Sequence, residues 1–526
     1  MESSDNCTCL SSVTLGLAVI IILLLLVYDY WHKLYFVRHG IPGPFPLPII
    51  GTITSVTKGM TSDFIEKKIK YGKVVGLSIG FNLFLIYDLD MLKEILISQF
   101  SYFPNHAKTM FEDKPLNEAI NVVRDERWRE VRNTLSPAFS GKKMKQMTCR
   151  IRECCDQLVE HFHKLKGQEG GIQCYDLYGA FSLDVVANTF FGMQIDSQRN
   201  PNDPFVKMAK EAFSISIYNP KVLLSILMPR MGKLYNLLGI SVTKPEIKKF
   251  FLDVISRAIE LRNEEANKRV DFLQLMIDAH KLDNQEDGEA DAMVREDTAT
   301  NKDAQTRTHS KAALTTNEVM ANAFTFLLAG YETTNVALCF TSYLLAMNPE
   351  QQDRLIEEVD KYTPTKEDLS YEVLSQMEYL DCIIRETLRL YPPSVATDRF
   401  NDKQDVVIRG LTIPKGFSVL VPVYAIHHDP EVWDSPEEFR PERFSKENRH
   451  KIHPASWLPF GNGPRSCLGM RLALMEIKFA VVRILQEFRY EKCPETEIPP
   501  VLNTATAFIS PPNGVILQVV PRKKTN

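Results

Sequence analysis

No Cys-x-x-C pair occurs anywhere in the 526 residues, and ten cysteines over that length are too few for a disulfide scaffold. A zinc ribbon and a thioredoxin-type redox motif therefore have no support, and most of the thiols are expected to be inert in a reducing compartment. There is no excess of positive charge: a net charge of -4 and a pI near 6.3 give no reason to expect nucleic-acid binding. No period of about 20 to 50 residues repeats, so a solenoid or propeller is not indicated. Long apolar runs are scarce too, with one exception, and 24% charged with 44% hydrophobic residues is ordinary for a globular chain. That balance argues against wholesale disorder and against a polytopic membrane protein, while the length allows a core large enough to enclose a cofactor.

The exception is the N-terminal run. Asn6 to Tyr28 carries no formal charge and its centre, Leu15 to Val27, is almost purely aliphatic. About 20 apolar residues as a helix cross a bilayer core. A cleaved signal peptide would want a basic leading segment, whereas Glu2 and Asp5 precede the run and Tyr28-Asp29-Tyr30-Trp31 follows it. Lys33 and Arg38 lie on the C-terminal side, so the positive-inside rule leaves the rest of the chain in the cytosol. The reading is a single-pass signal-anchor over residues 1–32. The sequon Asn6-Cys7-Thr8 sits so close to the run that it is expected to stay unmodified.

Residues 33–50 form a linker in which Pro42, Pro44, Pro46 and Pro48 enforce an extended, stiff spacer. Residues 51–526 read as one domain, mostly helical, with short strand-like runs near Val74–Tyr87 and Val406–Val423. Thr315 to Glu318 has capping-box spacing and opens a long apolar helix. Asn348-Pro349 reads as an N-cap followed by proline at the first helical position. The stretch 283–311 is polar and acidic, lacks aromatics, and reads as a mobile surface loop. Phe213 to Ile240 is apolar but broken by Pro220 and Pro229, which fits short interfacial helices or core helices rather than a second span.

The most informative stretch is Phe460-Gly461-Asn462-Gly463-Pro464-Arg465-Ser466-Cys467-Leu468-Gly469, followed directly by a helix-like run from Arg471. A cysteine before a helix N-terminus has its thiolate stabilised by the helix dipole and by free backbone N–H groups. The glycines let backbone approach a flat ligand, and Arg465 offers a fork to a carboxylate. Together these suit a haem whose iron takes sulfur and whose propionate takes guanidinium. The string resembles the haem-binding signature of the cytochrome P-450 family, Phe-x-x-Gly-x-Arg-x-Cys-x-Gly. Five fixed positions at about 5% each would match by chance roughly once in several thousand chains of this length.

The resemblance implies a mainly α fold, with a large helical domain and a smaller β-rich region behind the transmembrane helix, and a haem b cofactor on Cys467 with Phe460 and Gly469 beside it. Further motifs resemble the same family, in its order. In Ala329-Gly330-Tyr331-Glu332-Thr333-Thr334, a hydroxyl back-bonding to a carbonyl could open the helix locally. By resemblance Thr333 would bond to dioxygen and ordered water, and Glu332 would link that site to solvent protons. Glu386-x-x-Arg389 and Arg443 resemble the family's structural trio, which supports the haem pocket from outside. Trp128-x-x-x-Arg132 places indole and guanidinium on one helix face, within reach of a propionate. Arg399 occupies the place of a further propionate partner. The Gly330–Thr334 and Pro441–Phe444 stretches look most like the branch holding broad-specificity drug and steroid oxidases and thromboxane synthase.

The function this implies is a monooxygenase of the endoplasmic reticulum membrane that inserts one atom of O2 into xenobiotics, steroids or fatty acids. No flavin or nicotinamide site is evident in the chain. The electrons are therefore expected from NADPH through cytochrome P-450 reductase, with cytochrome b5 as a second candidate donor. Nine basic against three acidic residues between Arg124 and Arg152 suggest where an acidic reductase would dock. Expected pocket residues are Met110, Ile120, Leu328, Ala329, Ser394, Val395 and Ala396, with a loop over Thr506–Ile509 closing the site; their apolar character suits a lipophilic substrate drawn from the lipid membrane. Two alternatives remain, a haem-thiolate isomerase of the thromboxane-synthase kind and a non-catalytic haem sensor.

Overall fold

The computed structural model describes residues 2–53, 59–107, 113–193, 195–200, 203–213, 219–227, 231–238, 240–241, 243–264, 271–281, 314–503 and 507–522. The acidic stretch 283–311, Met110 and Thr506 lie outside the described residues.

The N-terminal helix Glu2–Lys33 contains, over Thr14–Lys33, the one segment long and apolar enough to cross a membrane among the described residues, and its large aliphatic side chains from Leu15 to Val27 are exposed. Its end is held by the domain that follows. Ser78 Oγ donates to the Lys33 carbonyl at 3.0 Å, Asn82 Nδ2 donates to the His32 carbonyl at 3.1 Å, and Lys33 Nζ reaches the Ile49 carbonyl at 2.5 Å. Phe36 then enters a notch above Gly76, where a Cβ would stand 2.2 Å from the ring's Cγ. Gly76→Ala is expected to destabilise the detergent-solubilised protein by about 1–3 kcal/mol in a denaturation titration, because the ring cannot retreat from the added methyl.

Two large hydrophobic cores are accompanied by a small cluster of Cys382, Trp433 and Phe444. The smaller of the two cores is built on a four-stranded sheet in the order Val74–Ser78, Asn82–Ile86, Ser418–Val421, Thr397–Phe400. The first two strands are an antiparallel hairpin, the second pairs in parallel with the third, and the last is antiparallel to it with Arg399 opposite Val419. The larger core is helical and wraps Thr316–Met347, a 32-residue helix that is buried on most of its circumference. Its start is a complete capping box: the Glu318 N–H donates to Thr315 Oγ1 at 3.1 Å, and the Thr315 N–H to Glu318 Oε2 at 2.9 Å. Pro349 opens the next helix, Pro349–Tyr362, as its composition predicts. Asn348, however, makes no side-chain cap; its amide donates backwards to the Leu344 carbonyl at 2.8 Å. The short helices Pro220–Leu227 and Gly232–Leu237 leave Leu223, Leu224, Leu234 and Leu237 exposed, which core helices would not.

Candidate active site

The segment from Leu458 to Cys467 is folded by its own backbone. The Gly461 N–H donates to the Leu458 carbonyl (3.0 Å), the Ser466 N–H to Gly463 (3.0 Å) and the Cys467 N–H to Phe460 (2.8 Å). Gly463 has φ +71°, and a Cβ there would lie 1.9 Å from the Leu96 carbonyl oxygen, so only glycine fits. The turn delivers Cys467 just ahead of the helix Met470–Leu485.

Cys467 opens into a cavity of about 360 Å³ between the two cores. One wall is the central helix, through Ala329, Gly330, Thr333, Thr334 and Ala337. The other walls come from Ile120 and Trp128, from Ser394 and Ala396, and from the cysteine loop itself, including Phe460, Arg465 and Gly469. Gly330 is needed for packing as well, since a Cβ would meet Val186 Cγ2 of the crossing helix Cys174–Phe190 at 2.5 Å. The segment Ala507–Ile509 forms an isolated bridge with Pro393–Val395 beside the pocket: the Val395 N–H donates to the Ala507 carbonyl at 3.0 Å and the Ile509 N–H to Pro393 at 2.9 Å.

Enclosure pushes the Cys467 thiol up, while the backbone N–H groups of Gly469 and Met470 and the Arg132 guanidinium pull it down; the net direction is up. A cation in the cavity would favour the thiolate. No group of three or more His, Cys, Asp or Glu able to hold a metal by itself occurs among the described residues. The rim has the opposite imbalance. Burial, together with the neighbouring Arg399, Arg124 and Arg132, pulls Arg465 down to about 9, and burial pulls Arg399 to about 10. Arg399 Nε is buried without a hydrogen-bond partner. Arg132 and Arg465 line the cavity with Cys467, whereas Arg399 is not in its lining and reaches the Asn462 carbonyl of the cysteine loop at 3.4 Å; crowded guanidiniums beside a sulfur donor are what a planar iron chelate bearing two carboxylates would complete, so the residues present fit a haem.

Several expected positions differ. Arg465 reaches the carbonyls of Pro104, Ile120 and Val123 and Asn105 Oδ1 at 2.8–3.3 Å, and lies 4.1 Å over the Trp128 ring. Four of its five N–H donors are thus engaged by protein, so its role is first to order the loop. Leu328 and Val395 do not line the cavity: Leu328 packs against the helical core, and Val395 is wholly buried in the sheet core. Glu332 also faces away from it. It is buried beside the helix Cys174–Phe190, where the Tyr175 hydroxyl donates to it, and burial pushes its carboxyl up. A step of about 100° per residue puts 329, 330, 333 and 334 on one face and 332 on another. Glu332 therefore does not itself line the cavity, and a link from it between the oxygen site and solvent protons would run by way of Tyr175 and the helix Cys174–Phe190. The acid that does line the cavity is Glu476, wholly enclosed on Met470–Leu485, its carboxyl pushed well up by burial and eased by the Thr334 hydroxyl. The signal for it was an acid among Leu472, Met475, Ile477 and Phe479.

Thr333 Oγ1 donates to the Ala329 carbonyl at 2.7 Å, yet the helix continues as α through this turn. Glu386 and Arg389, both fully buried, form a two-pronged pair at 2.8 Å, and Arg443 Nε adds a bond to Glu386 at 3.2 Å. This trio lies outside the cavity. Four of the nine basic residues of the stretch are paired with carboxylates, three of them with partners from outside it. Arg124 meets Asp402 (2.9 Å), Arg127 meets Glu318 and Glu130, Arg129 meets Glu126 (3.0 Å), and Lys145 meets Glu372 (2.6 Å). The local excess of +6 is accordingly muted at the surface.

A family profile described as Cytochrome P450 matches residues 41–519. The chain is 39% identical to cytochrome P450 3A41 of Mus musculus over 509 residues, 95% of each chain. It is 39% identical to cytochrome P450 3A2 of Rattus norvegicus, covering 98% of each. It is 40% identical to cytochrome P450 3A13 of Mus musculus, covering 97% of this chain and 96% of that protein.

Proposed function

The chain belongs to the cytochrome P450 family, and on that premise we propose that it inserts one oxygen atom of O2 into a lipophilic small molecule held above Cys467. The enzyme is a P450 monooxygenase, an oxidoreductase, and the proteins of this family hold haem through a cysteine thiolate. The observation that carries the proposal is the pairing of one enclosed thiol with a rim of arginines short of counter-anions.

In this reading the Cys467 sulfur would hold the iron, and the N–H groups of Gly469 and Met470 would stabilise its charge. Arg132, Trp128 and Arg465, which line the cavity, would hold the propionates, with Arg399 a buried cation outside the lining. The bound haem supplies the activation of dioxygen. The protein's share is binding, orientation and proton handling. Phe139, Phe190, Phe326 and Val186 make the pocket apolar, so it excludes loose water and takes greasy substrates. The Thr333 hydroxyl gives its hydrogen to Ala329, which leaves its oxygen able to accept from an ordered water. Glu476, whose carboxyl burial pushes well up, stands at the same wall. Electrons come from NADPH through a reductase, with cytochrome b5 as a further donor, and the enzyme works at the endoplasmic reticulum membrane with its catalytic domain on the cytosolic side.

Thr333→Ala is expected to keep haem and substrate binding while product formed per NADPH falls by roughly tenfold, the balance appearing as hydrogen peroxide. Simultaneous assay of NADPH, peroxide and product checks this; unchanged coupling across several substrates would remove Thr333 from the mechanism. The function itself is tested by reconstitution with reductase, NADPH and a panel of steroids, fatty acids and drugs. Rearrangement of a lipid endoperoxide without NADPH, and no oxygenated product with it, would contradict the monooxygenase reading in favour of an isomerase.

A further inference from the structure

We propose that His427 is the positioning residue for Cys467, tying Leu458 at the head of the cysteine loop to Arg389 of the buried ion-pair cluster. The inference rests on the reading of Cys467 as the iron ligand.

His427 ends the short helix Val423–His427, is wholly buried, and lies outside the cavity. Its Nε2 stands 2.9 Å from the Leu458 backbone nitrogen. A backbone N–H can only donate, so Nε2 accepts and Nδ1 carries the hydrogen. Nδ1 lies 3.0 Å from the Arg389 carbonyl oxygen and donates to it. Arg389 returns a bond from Nη1 to the His427 carbonyl at 2.8 Å, while its other nitrogens hold Glu386. Arginine and histidine thus clasp each other in both directions.

Beyond the ring, the Leu458 carbonyl takes the Gly461 N–H, and the Phe460 carbonyl takes the Cys467 N–H. The imidazole therefore holds the point from which the cysteine turn hangs. Burial and the nearby Arg389 charge keep the ring neutral, as an accepting Nε2 requires. The adjacent His428 uses its ring on Leu390 and Glu437 and does not touch the loop, which makes it the natural control.

The test compares His427→Gln, His427→Asn, His427→Leu and His428→Asn in the full-length, haem-loaded protein. Each is read by the rate at which the reduced carbon monoxide adduct passes from its thiolate-type to its thiol-type band, with haem content and melting temperature alongside. Glutamine can still accept from Leu458; asparagine can reach only Arg389; leucine reaches neither. Asn and Leu are expected to convert roughly fivefold faster than the parent, and Gln and the His428 control within about twofold of it. If the leucine variant does not accumulate, the contrast of Gln with Asn decides alone. Parental conversion in Asn, conversion in Gln as fast as in Asn, or a lowered melting temperature with an unchanged rate would each overturn the proposal. A parent with no thiolate-type band would instead contradict the ligand assignment on which it rests.

Discussion

Cys467→Ser yields a protein that folds and takes up haem but whose reduced carbon monoxide adduct has lost the thiolate-type Soret band, with turnover reduced to background. Serine keeps the shape of the turn, because the turn is made by backbone bonds from Gly461, Ser466 and Cys467 rather than by the sulfur. What disappears is the donor. A serine hydroxyl is a far weaker acid than a thiol, and in an enclosure that already pushes the thiol up it will not ionise. The arginine rim is untouched and still binds propionates, so haem retention and loss of the band separate ligation from folding. A C467S protein with an unchanged band would place the ligand elsewhere.

The second large effect falls outside the cavity. Glu386→Ala leaves Arg389, which is entirely buried, without the carboxylate it is paired with, and also strips Arg443 Nε and the Arg440 N–H of their acceptor. Breaking a buried pair from one side costs about 3–5 kcal/mol, because the surviving charge stays desolvated. Against a total of about 5–15 kcal/mol for a typical domain, that is a large fraction. Little folded holo-protein should accumulate, and what does should unfold at much lower denaturant. Arg443→Ala, which removes a partly exposed side chain with its bonds to Glu386 and to the Ser435 carbonyl but leaves Glu386 paired with Arg389, should cost far less. Equal losses for the two variants, read from denaturation midpoints, would contradict this ranking.

What could be seen in the residues, and what could not, divides along physical lines. The cysteine turn was legible because glycines at fixed spacing have few other uses; Gly463, with a carbonyl where its side chain would be, shows why. The capping box at Thr315 was legible because both of its bonds are local. The Glu386–Arg389–Arg443 trio required the family resemblance, since the third member lies far away in sequence. Facing was illegible. The central helix is apolar nearly all round, so periodicity could not tell that Glu332 turns to Tyr175 while Thr334 and the unremarked Glu476 share the cavity wall. Leu328 and Val395 were misassigned for the same reason, one residue of helix or strand being enough to change faces. The basic stretch looked unneutralised because its partners, among them Glu318, Glu372 and Asp402, come from remote segments. His427 gave no signal at all, because its neighbours on both sides of the ring are backbone groups.

The central claim is that the sulfur of Cys467 is bonded to haem iron. Iron-edge X-ray absorption of the purified holo-protein, run beside C467S, reads that bond. The account predicts one sulfur in the iron's first coordination shell of the parent and none in the variant. An iron shell of nitrogen and oxygen alone in the parent, or a sulfur that persists in C467S, would contradict it.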